Sequence, residues 1–430
     1  MTIVAIDDTD SRTEGMCTTY VATLLAEALE EEGYSIERAL LIRLNPAIER
    51  KTRGNAALAL HADAPMESAM DLAHEIVERY SETSDELTSP GIVAADTSSN
   101  TLPKPILRFS LDAIRHVHSL NKTLDLLDRS GLTHAAVTDD EGFGRIGALA
   151  AVGAWGAFDD WTYEHLTYRK LDRCGSPREV DHDSVFDAAD TTYPAVWDTV
   201  DPVEGEVVCI PNAPGPVLYG IRGDDPDACE SVADAINSEP VDRSRTFITN
   251  QGTDAHLDRG TIGSLREGAG YLVDGIITSE PTTIQGGHVF FELRSVAATE
   301  KSIDCVAFEP TKRFRAYVLK LQPGDRLTVA GEHEGGTIKL EKFAIRELVQ
   351  TEWVNPTCPE CDRRMESAGR EQGYRCRTCE RTHPSKVERP IDRSLERGWY
   401  EVPPVARRHI AKPLIRGGFD APIHPETERS

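Results

Sequence analysis

Short apolar runs and one amphipathic stretch organise the first part of the chain. Thr2–Ile6 predicts a buried strand, and Cys17–Glu31 carries apolar residues at helical spacing. Two more strands and a second helix are predicted at Arg38–Leu44, Ala56–His61 and Pro65–Arg79. This alternation predicts an N-terminal α/β unit.

The next part of the chain mixes polar connections with short apolar runs. Residues 81–105 are rich in Ser, Thr, Pro and acid, which predicts a long exposed connection. A second mixed unit follows, with predicted strands at Glu206–Ile210, Val217–Arg222 and Thr246–Thr249 and a helix at Asp225–Asn237. The order strand, strand, helix, strand is compatible with a ferredoxin-like domain.

From residue 262 to 348 the pattern changes to short β-runs separated by Gly and Pro. Five strands are predicted, at Tyr271–Ser279, His288–Arg294, Ser302–Phe308, Arg326–Glu332 and Thr337–Ile345. One helical segment, Phe314–Lys320, precedes the fourth strand. Five strands in this order predict an OB-fold β-barrel. The predicted fold class is therefore multidomain α+β.

Charge and cysteine content indicate the cellular environment of the protein. The net charge is −25, yet residues 351–430 hold 15 Lys plus Arg against 13 Asp plus Glu, so the acid excess lies before them. Few lysines and a global acid excess are typical of halophile cytoplasmic proteins. Nine cysteines without a disulfide-like spacing fit a reducing cytoplasm, and no apolar run is long enough to span a membrane.

Four cysteines near the C-terminus have the spacing of a metal site. Two CxxC pairs, CPEC and CRTC, are separated by fourteen residues, and four thiolates complete a tetrahedral shell around Zn²⁺. The alternative, a pair of redox dithiols, lacks a βαβ context. The pattern therefore predicts a structural zinc held by Cys358, Cys361, Cys376 and Cys379.

Basic and aromatic side chains surround these cysteines. Guanidinium groups contact phosphate backbones or stack on bases, as tyrosine rings also do. The predicted nucleic-acid contacts are Arg363, Arg364, Tyr374, Arg375 and Arg377. A solvated surface is the alternative.

An acid cluster follows the first predicted strand. Asp7, Asp8 and Asp10 lie where metal-ligating carboxylates occur in phosphoryl-transfer sites, and their oxygens suit Mg²⁺. Thr13–Thr19 adds hydroxyls before a helix N-terminus, which attracts anions. A polar turn with an Asp cap is the alternative interpretation.

Two further loops carry candidate ligand contacts. One is dense in cations and amides within an acidic unit; its candidates for phosphate binding are Arg43, Asn45, Lys51, Arg53 and Asn55. Surface ion pairing is the alternative there. The second loop combines acids with glycine and could hold a cationic ligand, or be an ordinary charged loop; its residues are Asp139, Asp140 and Gly144.

Several ordered motifs resemble the archaeal tRNA 2-agmatinylcytidine synthetase family. They are IDDTDS at Ile6–Ser11, GMCTTY at Gly15–Tyr20, RLNP and KTRGN in the cationic loop, GRIGALAAVGA at Gly144–Ala154 and TNQGTDAH at Thr249–His256. An OB fold and a zinc ribbon follow in the family's order. Several long motifs in order are more specific than any one alone.

The resemblance implies four domains and a C-terminal extension. They are a kinase-like catalytic domain at 1–125, a ferredoxin-like domain at 126–258, the OB fold at 262–348, the zinc ribbon at 353–385 and an extension at 386–430. No membrane and no obligate protein partner are expected.

The resemblance also implies a reaction. ATP is consumed to AMP and phosphate while the C2 oxygen of the wobble cytidine is phosphorylated, in the isoleucine tRNA with a CAU anticodon, and agmatine then displaces that oxygen. The family's phosphorylated threonine corresponds to Thr18, Thr19 falls at the ATP site, and the second loop would hold agmatine. The implied cofactors are ATP, Mg²⁺ and structural Zn²⁺.

Two other functions remain open on the sequence. A nucleic-acid-binding protein without catalysis explains residues 262–385 but leaves the first 255 residues without a role. A small-molecule phosphotransferase that uses its C-terminal domains for assembly is the other. AMP production without nucleic acid would favour the latter.

Overall fold

One nine-stranded sheet joins the first two predicted units. The computed structural model describes residues 1–48, 51, 54–97, 102–137, 141–298 and 300–424. The strands of this half are β1 Thr2–Asp7, β2 Ile36–Arg43, β3 Ala56–Ala62, β4 Gly91–Asp96, β5 Thr133–Ala136, β6 Thr162–Tyr168, β7 Val196–Trp197, β8 Val200–Asp201, β9 Glu206–Val207, β10 Val217–Gly223 and β11 Arg243–Thr249. The sheet order is β5-β4-β1-β3-β2-β11-β6-β10-β7, while β8 and β9 form a separate hairpin.

Helices cover both faces of this sheet. They are α1 Thr18–Glu31, α2 Met66–Tyr80, α3 Lys104–Arg115, α4 Leu120–Ser130, α5 Gly144–Ala157, α6 His182–Thr192 and α7 Pro226–Ala235. In β1, Val4 and Ile6 pack with α1 and α2, whereas Ile3 and Ala5 pack with α3 and α5. Burial on both faces explains why this strand is continuously apolar.

The parallel pair β2–β11 joins the two halves of the sheet. Ile248 lies opposite Leu40, and Thr249 lies opposite Leu41. Every other neighbouring pair in this sheet is antiparallel. The cavity described below therefore lies beside a continuous sheet, and the backbone ladder fixes the relative position of the two halves.

Three sequence predictions need correction in this half. Residues 81–105 are not one exposed connection, because they contain the buried strand β4 and the start of α3. The predicted strand Glu206–Ile210 shortens to β9, and the following residues form a loop. The predicted boundary between residues 125 and 126 falls inside α4, and the next strand, β5, pairs with β4 of the first unit.

The predicted five-stranded barrel is present. This region contains β12 Leu257–Arg259, β13 Ala269–Ile277, β14 Thr282–Thr283, β15 Val289–Ser295, β16 Ser302–Ala307, β17 Arg326–Glu334 and β18 Thr337–Glu347. The barrel closes in the order β13-β15-β16-β18-β17-β13. The short helix α8 (Arg313–Val318) comes between β16 and β17, close to the predicted helical segment. Its Phe314 packs against Phe343 in the barrel core.

The C-terminal part returns to the barrel after a small metal-binding module. Its strands are β19 Thr351–Val354, β20 Glu366–Ser367, β21 Tyr374–Arg375, β22 Thr382–His383, β23 Val387–Pro390, β24 Gly398–Glu401 and β25 Ile423–His424. β19 pairs with β23 as a stalk, and β24 extends the barrel sheet beside β18. We call residues 402–416 the C-terminal strap. None of the helices in the described part of the chain is long and apolar enough to cross a membrane.

Candidate active site and zinc ribbon

A cavity of about 900 Å³ lies where the sheet unit, the barrel and the strap meet. Its walls include the end of β1, the start of α1, the end of β2 and the glycine-rich start of α5. Glu267, Gly268 and Glu334 come from the barrel side, and His409 comes from the strap. The site therefore draws on residues hundreds of positions apart.

The predicted acid cluster lines this cavity. Asp8 has a left-handed backbone (φ 62°), and its N–H donates to Asp7 Oδ1 at 2.7 Å. Its own Oδ2 accepts from the Ser89 N–H at 3.2 Å. Burial raises the pKa of Asp7 well above its usual value, and the nearby Asp8 and Asp10 raise it further. Asp8 and Asp10 are near enough to repel the Asp7 carboxylate, and a cation at this wall of the cavity would offset that repulsion.

Two glycines of α5 allow the helix to approach Asp7. A Cβ at Gly144 would lie 2.4 Å from the carbonyl oxygen of Asp7, and one at Gly147 would lie 1.8 Å from its Oδ2. The Gly144 N–H donates to the Ser89 carbonyl oxygen at 2.8 Å. The motif GRIGALAAVGA thus lies in a helix that packs directly on the acid cluster.

The predicted hydroxyl groups lie at the first turn of α1. Thr18 and Thr19 are its first two residues, and both are largely buried at the cavity wall. The Thr9 hydroxyl donates to Thr18 Oγ1 at 3.1 Å. Cys17 is the N-cap residue of the helix, and its Sγ forms a hydrogen bond with Thr19 Oγ1 at 3.0 Å. Hydroxyls and helix N-terminal amides therefore adjoin the acid cluster, an arrangement that suits phosphate.

Members of the predicted cationic loop have two different environments. Arg43, Lys51 and Asn55 line the cavity, and burial lowers the pKa of Arg43 and of Lys51. Asn45 is absent from the described lining: its Nδ2 donates to the Gly268 carbonyl oxygen at 2.8 Å, and its Oδ1 accepts from the Ala47 N–H at 2.9 Å. Asn45 therefore holds the loop backbone, and its contact with phosphate stays a prediction. Arg53, like the predicted agmatine contacts Asp139 and Asp140, lies outside the described residues.

Sequence reasoning missed a second polar group at the cavity. Glu164 accepts a hydrogen bond from Gln251 Nε2 at 2.5 Å and lies 3.7 Å from Arg43 Nη2. Its other oxygen lies 3.8 Å from Arg222 Nε. Glu164 and Arg222 are almost fully buried, and both line the cavity. The motif TNQGTDAH was the available signal, since it contains Gln251, but its partners are distant in sequence.

The four predicted zinc ligands come together. Their Sγ atoms all lie within 4.8 Å of one another, and Cys361 and Cys376 are 3.5 Å apart. The two turns have the same backbone geometry: the Cys358 N–H donates to the Arg363 carbonyl oxygen, and the Cys376 N–H donates to that of Arg381, each at 2.8 Å. Four converging thiols match the tetrahedral shell that Zn²⁺ takes in structural sites.

The basic residues of the ribbon are exposed, and several pair with acids. Arg375 pairs with Glu380 at 2.9 Å, and Arg377 pairs with Glu366. Arg363 Nη1 donates to Thr378 Oγ1 at 3.1 Å. Arg364 is exposed and Tyr374 is half-buried. Exposed ion pairs of this kind are weak, so these side chains can exchange an acid partner for a phosphate at low cost.

Comparison with known proteins identifies the class of these domains. The chain matches three family models, described as the TiaS TCKD domain over residues 3–139, the TiaS FLD domain over 142–256 and the TiaS C-terminal zinc ribbon domain over 355–395. The first two models meet after β5, in agreement with the strand pairing. These matches define a multidomain TiaS-type protein with a zinc ribbon.

Full-length relatives name the family. The tRNA 2-agmatinylcytidine synthetase TiaS of Haloquadratum walsbyi is 52% identical, covering 99% of this chain and 100% of that protein. The crystal structure of TiaS in complex with its isoleucine tRNA and ATP matches with a TM-score of 0.87 and 41% identity, covering 98% of both chains. A complex of TiaS with the same tRNA, AMPCPP and agmatine matches with a TM-score of 0.85 and 39% identity, also covering 98% of both. This chain belongs to the tRNA 2-agmatinylcytidine synthetase family.

Proposed function

We propose that this chain is an ATP-dependent ligase that attaches agmatine to C2 of the wobble cytidine of the AUA-decoding isoleucine tRNA. The observation that carries this is that the acid cluster, the α1 hydroxyls, Arg43 at the end of β2 and Lys51 in the following loop line one cavity. The names of the full-length relatives and the contents of their complexes support it. A tRNA substrate and nine cysteines that form no disulfide agree with a cytoplasmic location.

Asp7, Asp8 and Asp10 are the residues that would hold Mg²⁺. A bound Mg²⁺ neutralises phosphate charge during phosphoryl transfer. The raised pKa of Asp7 supports this assignment, because it reflects buried like charges that a cation would stabilise. We assign Thr18 as the phosphorylated hydroxyl, since it lies at the α1 N-terminus beside these acids.

The cationic side of the cavity would bind the ATP phosphates. Arg43 and Lys51 line it, and Thr19 and Asn55 add polar groups beside them. We retain Arg53 in this set on the sequence alone. Guanidinium and ammonium groups that face a developing phosphate charge lower the barrier to its transfer.

The chemistry explains why ATP is needed. C2 of cytidine is a urea-like carbon, and its oxygen is a poor leaving group until it is phosphorylated. The primary amine of agmatine then replaces that oxygen. For agmatine we retain Asp139, Asp140 and Gly144 as the predicted contacts; of these, Gly144 lines the cavity. The wobble base must leave its stack to enter the site.

The remaining domains would hold the tRNA. We assign the barrel as an OB fold, because its closing order and the helix between its third and fourth strands support that assignment. The first unit would be kinase-like and the second ferredoxin-like. The exposed basic side chains of the ribbon would contact the tRNA backbone.

A single assay tests the proposal. Purified full-length protein is incubated with unmodified isoleucine tRNA, ATP, Mg²⁺ and labelled agmatine, and label in the tRNA is measured. We expect label to enter the tRNA only when ATP is present. No incorporation would refute the ligase assignment. AMP formation with agmatine but without tRNA would favour a small-molecule phosphotransferase.

A further inference from the structure

Two arginines at the cavity share one carboxylate. Arg43 and Arg222 both line the cavity, and Arg222 is only 5% exposed. One oxygen of Glu164 lies 3.7 Å from Arg43 Nη2, and the other lies 3.8 Å from Arg222 Nε. Glu164 and Arg222 are opposite each other on the antiparallel strands β6 and β10. Two guanidinium groups thus face one carboxylate, which leaves one positive charge in excess at this wall.

Other buried arginines of the chain are paired more closely. Arg169 donates from Nε and Nη2 to the two oxygens of Glu239, each at 2.8 Å. Arg393 donates to the two oxygens of Asp325 at 2.9 and 2.6 Å. The Nε of Arg222, in contrast, has no hydrogen-bond partner among the described residues. A buried cation without acceptors is costly, and a ligand in the cavity can supply the acceptor that the protein does not.

The charge at this wall favours an anionic ligand. Burial lowers the pKa of Arg43, Glu164 opposes this shift, and repulsion from Arg222 adds to it. A single carboxylate therefore does not compensate both guanidinium groups. Agmatine carries an ammonium and a guanidinium group, so this wall repels it. The anionic groups of the other two substrates are phosphates, which a guanidinium binds with two parallel hydrogen bonds.

Arg222 lies on the side of the cavity away from the acid cluster. Four strands of the sheet separate β1, which ends at Asp7, from β10, which carries Arg222. Arg43, at the end of β2, lies between them. The proposed sites for Mg²⁺ and the ATP phosphates are at the β1, α1 and β2 side. A nucleotide carries its backbone phosphates across the sugar from its base, so a base that reacts at the acid cluster holds its phosphates away from that cluster.

We propose that Arg222 binds a backbone phosphate of the tRNA beside the wobble cytidine. The inference rests on the proposed function and extends it to how the unstacked nucleotide is held in the cavity. Phosphate contacts fix the position of a nucleic acid without reading its sequence. Arg222 would therefore hold the nucleotide while its base reaches the acid cluster, and Glu164 would keep the guanidinium group in place from the neighbouring strand.

Binding of unmodified isoleucine tRNA to the full-length protein without ATP tests the proposal. We expect Arg222→Gln to weaken binding about tenfold, as loss of a hydrogen bond to a charged group does. The slope of log affinity against log KCl concentration should fall by about 0.7, the value for one phosphate contact in a single strand. Arg222→Lys keeps the charge and should keep the wild-type slope. Arg108→Gln, at an exposed position of α3, is the matched control and should bind as wild type does.

A change in the tRNA provides a second measurement. A neutral methylphosphonate replaces one or the other of the two phosphates that flank the wobble cytidine. The wild type should lose affinity for one of these two tRNAs, whereas Arg222→Gln should lose nothing further with either. Equal losses in the wild type and in Arg222→Gln would overturn the proposal, because the two groups would then act independently.

The remaining outcomes are distinct. Normal tRNA affinity in Arg222→Gln would overturn the proposal. Weaker tRNA binding with an unchanged salt slope would also overturn it, because a distorted cavity does not remove a phosphate contact. Weaker binding of AMPCPP in the absence of tRNA, with normal tRNA binding, would assign Arg222 to the ATP phosphates instead. Failure of the wild type to incorporate agmatine would refute the proposed function without changing the binding result. Unchanged melting temperatures in the variants exclude misfolding.

Discussion

The zinc ribbon and the acid cluster each gather ligand groups of one kind, thiols in the ribbon and carboxylates in the acid cluster. Different forces hold these groups in place. The ribbon's core contains Met365 and little beyond the cysteines and Tyr374. The acid cluster follows a strand whose apolar side chains, among them Val4 and Ile6, belong to a large core between sheet and helices. A segment without a core depends on its metal to fold, whereas a site built on a large core does not.

Zinc removal should produce the largest effect. Structural zinc contributes roughly 10 kcal/mol or more to folding of small metal modules. We expect a strong chelator, or Cys358→Ser, to unfold the ribbon and weaken tRNA binding, while the sheet unit keeps its melting transition. Hydrogen exchange of the ribbon amides and tRNA binding measure the two effects. If the ribbon amides stayed protected from exchange after zinc loss, the ribbon would fold without its metal, which would contradict the comparison.

Loss of one carboxylate should impair catalysis but not folding, whereas zinc removal should impair folding of the ribbon. Asp8→Asn keeps the left-handed backbone, because Asn tolerates positive φ as well as Asp does. We expect ATP-dependent AMP formation to fall by about 10³-fold. The metal-free melting temperature should stay the same or rise, since one repelling charge has gone. tRNA binding, measured at the same time, should stay near wild type; its loss would indicate a structural role for Asp8.

Gly147→Ala tests how closely α5 supports the acid cluster. The new Cβ would meet Asp7 Oδ2 at 1.8 Å, so the carboxylate must move. A misplacement of this size should slow AMP formation by about 10²-fold, with a smaller effect on stability. Gly156→Ala, near the end of the same helix, is the matched control, because its Cβ would meet only the end of the Leu107 side chain, at 3.0 Å. Equal losses in both variants would point to general damage to the helix.

The barrel and the zinc ligands could be predicted from sequence because their signals are local. Alternating runs between glycine turns marked the barrel strands, and two CxxC pairs marked the metal. Strand β4 was missed because a short apolar run lay inside a long polar stretch. Strand β6 was missed because Glu164, His165 and Thr167 are polar although they are buried. Their partners come from other strands, so no local pattern reveals them.

The environments of Asn45 and His409 depend on contacts that sequence does not show. Asn45 lies among cations in the sequence, and its amide forms hydrogen bonds with the loop backbone and with Gly268. The strap has neither helical nor strand periodicity, so it was predicted only as an extension. Its backbone hydrogen bonds to the turn after β11 place His409 at the cavity, over 150 residues away in sequence.

The smallest expected effect concerns pH and the core of the sheet unit. His61 is buried in β3, and burial, assisted by Arg38, lowers its pKa to about 4. The unfolded chain, with an ordinary histidine pKa near 6.5, binds this proton more readily, so stability falls as pH drops from 6.5 towards 4. Between pH 7 and 5.5 the loss from this residue should be about 1 kcal/mol.

Thermal melts of the zinc-loaded protein at several pH values measure this effect. The melting transition of the sheet unit should shift to lower temperature on acidification, and the shift should shrink in His61→Gln, which does not gain a charge in this range. His74→Gln, exposed on α2, should keep the wild-type shift. An unchanged shift in His61→Gln would assign the pH sensitivity elsewhere. In that case His61 in the core around β3 would not determine how the stability of the sheet unit responds to acid. The difference between the sheet unit and the metal-dependent ribbon would then be supported by the acid cluster alone.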